Sequence, residues 1–262
     1  MEQALSFLSA HVAHLASSFD SVVMFGNESF GITQYTFYMV ICLAVTLAVV
    51  LGAGKRLSLV PSNKFTNMVE MGYSFVAKDV AEDAIGHGFK KHIPFLATLF
   101  FFLLISNFIG LIPGSKTPTG SISITWALAS ISFIYFIEYG IRAKGGLGYL
   151  KSLAPSGLPV VMVPIVWFLE LMSTAMRVLT LAIRLYGNML AGHMVLGIFA
   201  LFVASFVEAA IAQANFAVAL PSLGFLAFLF AMYALEVLVA ILQAYVFVVL
   251  SAVYVGLATS DH

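Results

Sequence analysis

The residues best able to do chemistry in this sequence are the few that carry charge or titrate inside otherwise apolar stretches. One run holds Glu170, Arg177, Arg184, Asn188, His193 and Glu208, and a later one holds Glu236 and Gln243, with Tyr254 near its end. Glu170, Arg177 and Arg184 are spaced by seven, so on a helix they drift only slightly and form one stripe. Asn188 lies four beyond Arg184 on the same face, and Glu236 and Gln243 are again seven apart. A carboxylate and an imidazole can relay protons, because desolvation and mutual attraction tune both toward neutrality. An arginine cannot, since it keeps its proton under any realistic condition. Arg184 is therefore suited to attract a carboxylate and to block direct proton passage. Titratable groups interrupted by a permanent cation do not make a simple pore. They imply that a proton leaves this chain and returns to it on another carrier.

The elements that must position these residues are membrane helices. The chain has 262 residues, 61% hydrophobic and 9% charged, whereas a soluble domain carries about 25% charged residues. Its net charge is zero, which gives no reason to expect a nucleic-acid partner. A spanning helix needs about 20 mostly apolar residues. Such runs cover 32–54, 93–112 and 121–141, then two much longer stretches at 159–212 and 222–258. The segment 62–86 mixes Phe65, Met68, Val69, Phe75, Val76 and Val80 with Lys64, Glu70, Lys78, Asp79, Glu82 and Asp83. It reads as an amphipathic helix lying at the interface. Residues 1–31 form an N-terminal extension without the basic start of a signal peptide, as the first Lys or Arg is Lys55. The expected fold is an all-α integral membrane protein, one membrane domain over 1–262, with five transmembrane helices and one interfacial helix.

Charge sets the expected orientation. With the N-terminus outside, Lys55, Arg56, Lys64, Lys78, Lys90, Lys91, Arg142, Lys144 and Lys151 fall inside and only Lys116 falls outside, as the positive-inside rule requires. The C-terminus is then inside, and the last two runs are antiparallel. If His193 sits beside Glu236, the antiparallel register puts Gln243 opposite residue 186, within a turn of Arg184. His193 and Glu236 fall on the outer side of Arg184, and Glu170 and Tyr254 on the inner side. Small residues around Arg184 (Ala175, Ala182, Gly187, Ala191, Gly192, Gly197) permit close approach of another helix. Ser106 and Asn107 are expected as interhelical hydrogen-bond partners.

The stretch Leu181-Ala182-Ile183-Arg184-Leu185-Tyr186-Gly187-Asn188-Met189-Leu190-Ala191-Gly192-His193 resembles the hallmark segment of subunit a of F-type rotary ATP synthases. Leu242-Gln243-Ala244-Tyr245-Val246-Phe247 through Val253-Tyr254 resembles that family's last helix, and Ser106-Asn107-Phe108-Ile109-Gly110-Leu111-Ile112-Pro113 an earlier pattern. The resemblance implies a tilted hairpin of the last two helices against a rotating ring of c subunits, with Arg184 facing the ring carboxylate. It implies an outer half-channel at Asn188, His193, Glu236 and Gln243, an inner one near Glu170 and Tyr254, and a supporting role for Arg177. Implied partners are the c-ring, the b subunits of a peripheral stalk, the rest of the complex and the bilayer. No cofactor or metal is expected, and ATP chemistry belongs to partners. The resemblance favours a bacterial plasma membrane, with the mitochondrial inner membrane as the alternative. The rival readings are a stand-alone proton-coupled transporter, a purely structural anchor, and the same subunit driven by sodium. Glu208 is left without a role.

Overall fold

The structure, a computed structural model, describes residues 23–25, 32–54, 64–112, 114–146, 148–149, 162–212, 215, 218 and 220–259. Most of the N-terminal extension lies outside them, as do Lys55, Arg56 and Lys151. In chain order the elements are β1 (Val23–Phe25), β2 (Ile32–Thr33), α1 (Gln34–Gly54), α2 (Lys64–Ser74), a π-helix (Phe75–Glu82), α3 (Asp83–Ile85), α4 (Ile93–Gly110), α5 (Ile122–Lys144), α6 (Val163–Ala212) and α7 (Leu220–Thr259). Single 3-10 turns at Phe89–Lys91 and Pro118–Gly120 precede α4 and α5. Among the described residues five helices, α1 and α4 to α7, are long and apolar enough to cross a membrane. The chain is a helical, multi-pass membrane protein.

Local chemistry sets several boundaries. Thr33 Oγ1 accepts the backbone N–H of Thr36 at 3.4 Å and caps the start of α1. Pro94 occupies the first turn of α4, where its missing N–H costs nothing. At the end of α5, Gly145 takes φ +74°, a conformation that stops a helix cheaply only at glycine. Arg142 and Lys144 in that last turn complement the helix dipole.

Two features depart from the sequence expectation. β1 pairs antiparallel with β2, a short pair ahead of an otherwise all-helical fold, and the first long helix starts at Gln34 rather than at residue 32. The segment expected as one interfacial helix over 62–86 is helical from Lys64 but not uniform, because its second half widens into the π-helix. The wider i→i+5 bonding brings Val76, Val80 and Ala81 to the core side, all buried. Phe75 there meets Phe100 of α4 and Tyr245 of α7, at ring centroid distances of 6.1 and 5.4 Å.

The core gathers around α4. Of its apolar stretch 61% is buried, against 11% in α6 and in α7, so α4 is the pillar and the long pair lies against it with one face free. Leu96, Phe100 and Leu103 of α4 pack with Leu181 and Leu185 of α6 and Phe247 and Val248 of α7. Close approach at one end depends on glycine: a Cβ at Gly256 would overlap the carbonyl oxygen of Ala84 in α3, and one at Gly140 would stand 3.2 Å from Ala258 Cβ and run into the Tyr149 ring.

Candidate functional site

The middle of α6 has two faces. Leu181, Ala182, Leu185 and Met189 are buried against the core, while Thr180, Ile183, Arg184, Asn188 and Ala191 are exposed. The exposed positions recur at helical spacing, so they form one stripe. Among the described residues Arg184 makes no ion pair. Nothing lies within 4 Å of where a Cβ at Gly187 would be. The arginine therefore stands on an open, small-residue face in the middle of an apolar helix.

The polar residues of α6 and α7 meet as antiparallel neighbours at two places. Toward the α6–α7 turn, Asn188 Nδ2 donates to Gln243 Oε1 at 2.7 Å. Glu236 is buried to 3% exposure, and its carboxylate lies on Gly192, where a Cβ would overlap both oxygens. Neither Glu236 Oε1 nor His193 Nε2 has a hydrogen-bond partner, although both atoms are buried. The structure thus brings His193 and Glu236 to the same level without a direct bond between them. The Gln243 amide reaches Asn188, two residues past position 186, while Glu236 lies against Gly192, one short of His193, so the two contacts fall on either side of the expected antiparallel register. At the other end, Arg177 donates to Glu170 Oε1 at 2.8 Å and lies 5.5 Å over the Tyr254 ring. Arg177 thus holds together the two residues assigned to the inner side. Glu208 is exposed on α6 and joins neither group.

A cavity of about 190 Å³ opens beside the first group, lined by Tyr35, Ser115, Lys116, Thr117, Met189 and His193 among others. Burial lowers the Lys116 ammonium from its ordinary range. The loop that carries Lys116 is pinned by a buried polar network. Thr117 Oγ1 donates to Ser106 O at 3.2 Å, and Thr119 Oγ1 donates to Asn107 Oδ1 at 3.0 Å. Asn107 Nδ2 donates to Ala240 O of α7 at 3.1 Å, one turn from Glu236. Asn107 is an interhelical partner as expected, and it fixes the helix that carries the buried acid. A Cβ at Gly110 would come within 2.5 Å of Thr117 Cβ, so the loop seats only over a glycine. Tyr233 donates to Leu111 O at 3.0 Å and ties α7 to the same end of α4.

The profile of the ATP synthase A chain family matches residues 36–256, a span that contains every contact of this site except that of Tyr35 with the cavity. The chain belongs to that family. Among its curated relatives, ATP synthase subunit a of Bartonella tribocorum is 38% identical over 89% of this chain and 90% of the relative. ATP synthase subunit a of Nitrobacter winogradskyi is 38% identical over 88% and 90%. That of Chloroherpeton thalassium is 35% identical over 90% of this chain and 70% of the relative. As a member of the ATP synthase A chain family, the chain is a component of a complex and not an independent enzyme.

Sequence reasoning passed over several residues that shape the site. Gly192 counted only as one small residue among six, and its seat for Glu236 has no signal beyond being a glycine beside His193. Thr117 and Thr119 carry no sequence signal beyond being polar residues in a loop between two spans. Outside the site, His92 likewise carries no motif in the sequence, and it is fully buried at the α4–α5 joint and bonded through Nδ1 to the Tyr135 hydroxyl at 3.0 Å.

Proposed function

We propose that this chain is the membrane stator that carries protons to and from the ring carboxylates of a rotary ATP synthase through two offset half-channels. The observation that carries the reading is Arg184, unpaired and exposed on a small-residue face of a membrane helix. A charge placed so costs several kcal/mol in lipid, about 2.5 to 3.5 on insertion scales, unless an opposite charge meets it. No such charge is on the described part of this chain, so the counter-charge belongs to a partner, and a carboxylate on a ring of c subunits supplies it. The lengths of α6 and α7 support the same reading. At 1.5 Å per residue the 50 residues of α6 extend about 75 Å, against a hydrocarbon core of about 30 Å. The pair must lie steeply tilted, a posture suited to following the flank of a ring.

Protons enter from outside through the cavity under Lys116 and pass His193, Glu236, Asn188 and Gln243. They neutralise a ring carboxylate, and only the neutral form faces lipid cheaply. After nearly a full turn the carboxylate reaches the inner path at Glu170 and Tyr254, which Arg177 holds in place, and releases its proton. Arg184 draws in the ionised carboxylate and keeps the two paths from joining. The driving force is about 2.3 kcal/mol per charge per 100 mV, plus the pH difference. The b subunits of a peripheral stalk hold the chain still against the ring. The family and its bacterial relatives support a bacterial plasma membrane.

The test is ATP-driven proton pumping in vesicles, with the wild-type complex beside Arg184→Ala and Arg184→Lys. Arg184→Ala is expected to bring pumping to background while the complex remains assembled, and Arg184→Lys to lose most of it, since an ammonium does not present the guanidinium fork. Normal pumping by both variants would mean that the stripe is structural and that the half-channel reading is wrong.

A further inference from the structure

We propose that the adjoining ends of α4 and α5 form a binding site for the phosphate of an anionic membrane lipid. This inference is independent of the proton path. Two cations from different helices converge there on one ring: Lys91 Nζ lies 5.3 Å and Arg142 Cζ 5.6 Å from the Tyr139 centroid. Both side chains are exposed. Lys90 and Lys144 flank them, Glu138 is ion-paired to Arg142, and Glu82 and Asp83 stand on the segment that packs against the Phe89–Lys91 turn. Like charges gathered around one ring repel, and among the described residues no ion pair reaches Lys91. A phosphate offers oxygens to an ammonium and a guanidinium at once, through charge-assisted hydrogen bonds.

The ring between them is held, not floating. Tyr139 packs edge-on against His92 at 4.5 Å, and His92 is bonded to Tyr135, which stacks on Phe95 at 3.7 Å. The site is therefore preorganised by a buried histidine and three aromatic rings. Depth argues for a lipid as the occupant. Lys91 stands two residues before the start of the α4 span and Arg142 two before the end of α5, which is headgroup level. Tyrosines are favoured at that level, and basic pockets between spans take lipid headgroups.

The experiment uses the purified complex in detergent, with native mass spectrometry of retained phosphatidylglycerol against phosphatidylcholine. Lys91→Gln with Arg142→Gln is compared with Lys64→Gln with Lys78→Gln, which removes equal charge elsewhere. Wild type is expected to retain phosphatidylglycerol preferentially. The Lys91/Arg142 variant is expected to weaken that retention about thirtyfold, the combined effect of two basic residues at a membrane surface, while the Lys64/Lys78 control keeps it. Lys91→Arg with Arg142→Lys preserves the charges and should restore retention, which separates loss of the site from misfolding. Equal losses in variant and control, or no loss in either, would overturn the site. Displacement of the lipid by millimolar inorganic phosphate would reassign it to the free anion. Loss of stalk subunits with lipid unchanged would reassign it to a protein partner.

Discussion

A side chain at position 192 has nowhere to go, because the carboxylate of Glu236 already fills the space where its Cβ would be. Gly187, five residues earlier on the same helix, has nothing within 4 Å of the corresponding point. The two glycines therefore predict different outcomes within this chain for the same substitution. Gly192→Ala is expected to push Glu236 off its seat and to lower proton pumping at least tenfold in assembled complexes, since overpacking a close contact costs about 1–3 kcal/mol. Gly187→Ala is expected to leave Glu236 seated, as one methyl there displaces nothing in the chain, and any loss of pumping it causes comes from the ring helix that approaches this face. Wild-type pumping by Gly192→Ala would show that the Gly192–Glu236 contact is not used. The arginine stripe is legible from sequence because charge inside a membrane span is expensive and therefore conspicuous. The exact pairing is not. Side-chain reach decides it: Glu236 settles on the neighbour that lacks a Cβ, one residue short of His193, and Gln243 reaches Asn188, two past residue 186.

At the scale of elements, the long apolar runs announce their helices, while the joints between them depend on side-chain contacts that hydrophobic patterning does not encode. The π-helix at Phe75–Glu82 is such a joint. Its widened turn is set by Val76, Val80 and Phe75 reaching the core, and a 3.6-residue pattern does not anticipate it. The β1–β2 pair is another, too short to leave a periodicity. The joint between α4 and α5 rests on His92, just outside the α4 span. Burial first, and then the adjacent Lys91 charge, push its pKa down from 6.5 to about 4. The folded state therefore keeps the imidazole neutral where the unfolded chain would protonate it. The stabilisation is complete above about pH 6.5 and is lost as the pH falls toward 4, because in that window the unfolded state binds more protons. The thermal midpoint of the detergent-solubilised protein is expected to fall between pH 7 and 4.5. His92→Gln removes the titration, so its midpoint should be lower at pH 7 and should depend less steeply on pH. Identical slopes for the two proteins would show that His92 does not titrate in this way. Lys91, Tyr135 and Tyr139 face the same histidine, but only the imidazole has an ordinary pKa in this window.

Over the whole molecule, the two polar groups stand on either side of Arg184 along the α6–α7 pair, one near the middle of both helices and the other near the start of α6 and the end of α7. The Glu236, His193, Asn188 and Gln243 group lies level with the Lys116 loop. The Glu170, Arg177 and Tyr254 group shares its end of the pair with the close of α5, where Gly140, Tyr149 and Ala258 meet. Separation of the groups comes from the fold, but which one is the entrance depends on orientation alone. By the positive-inside rule the Lys116 loop is expected outside and the Arg142–Lys144 end inside. Cys42, the single cysteine in the sequence, is fully buried and gives a quiet background for labelling. Ser115→Cys and Ala143→Cys then report the two faces, since the first lies in the Lys116 loop and the second is exposed in the last turn of α5. In right-side-out vesicles a membrane-impermeant maleimide is expected to label position 115 and to spare position 143 until the vesicles are opened. The reverse pattern would invert the chain, make the Glu170 end the outer path, and require protons driving synthesis to enter past Arg177 rather than past His193. Labelling of both positions in sealed vesicles would place them on one face, which an odd number of crossings between the two loops cannot produce.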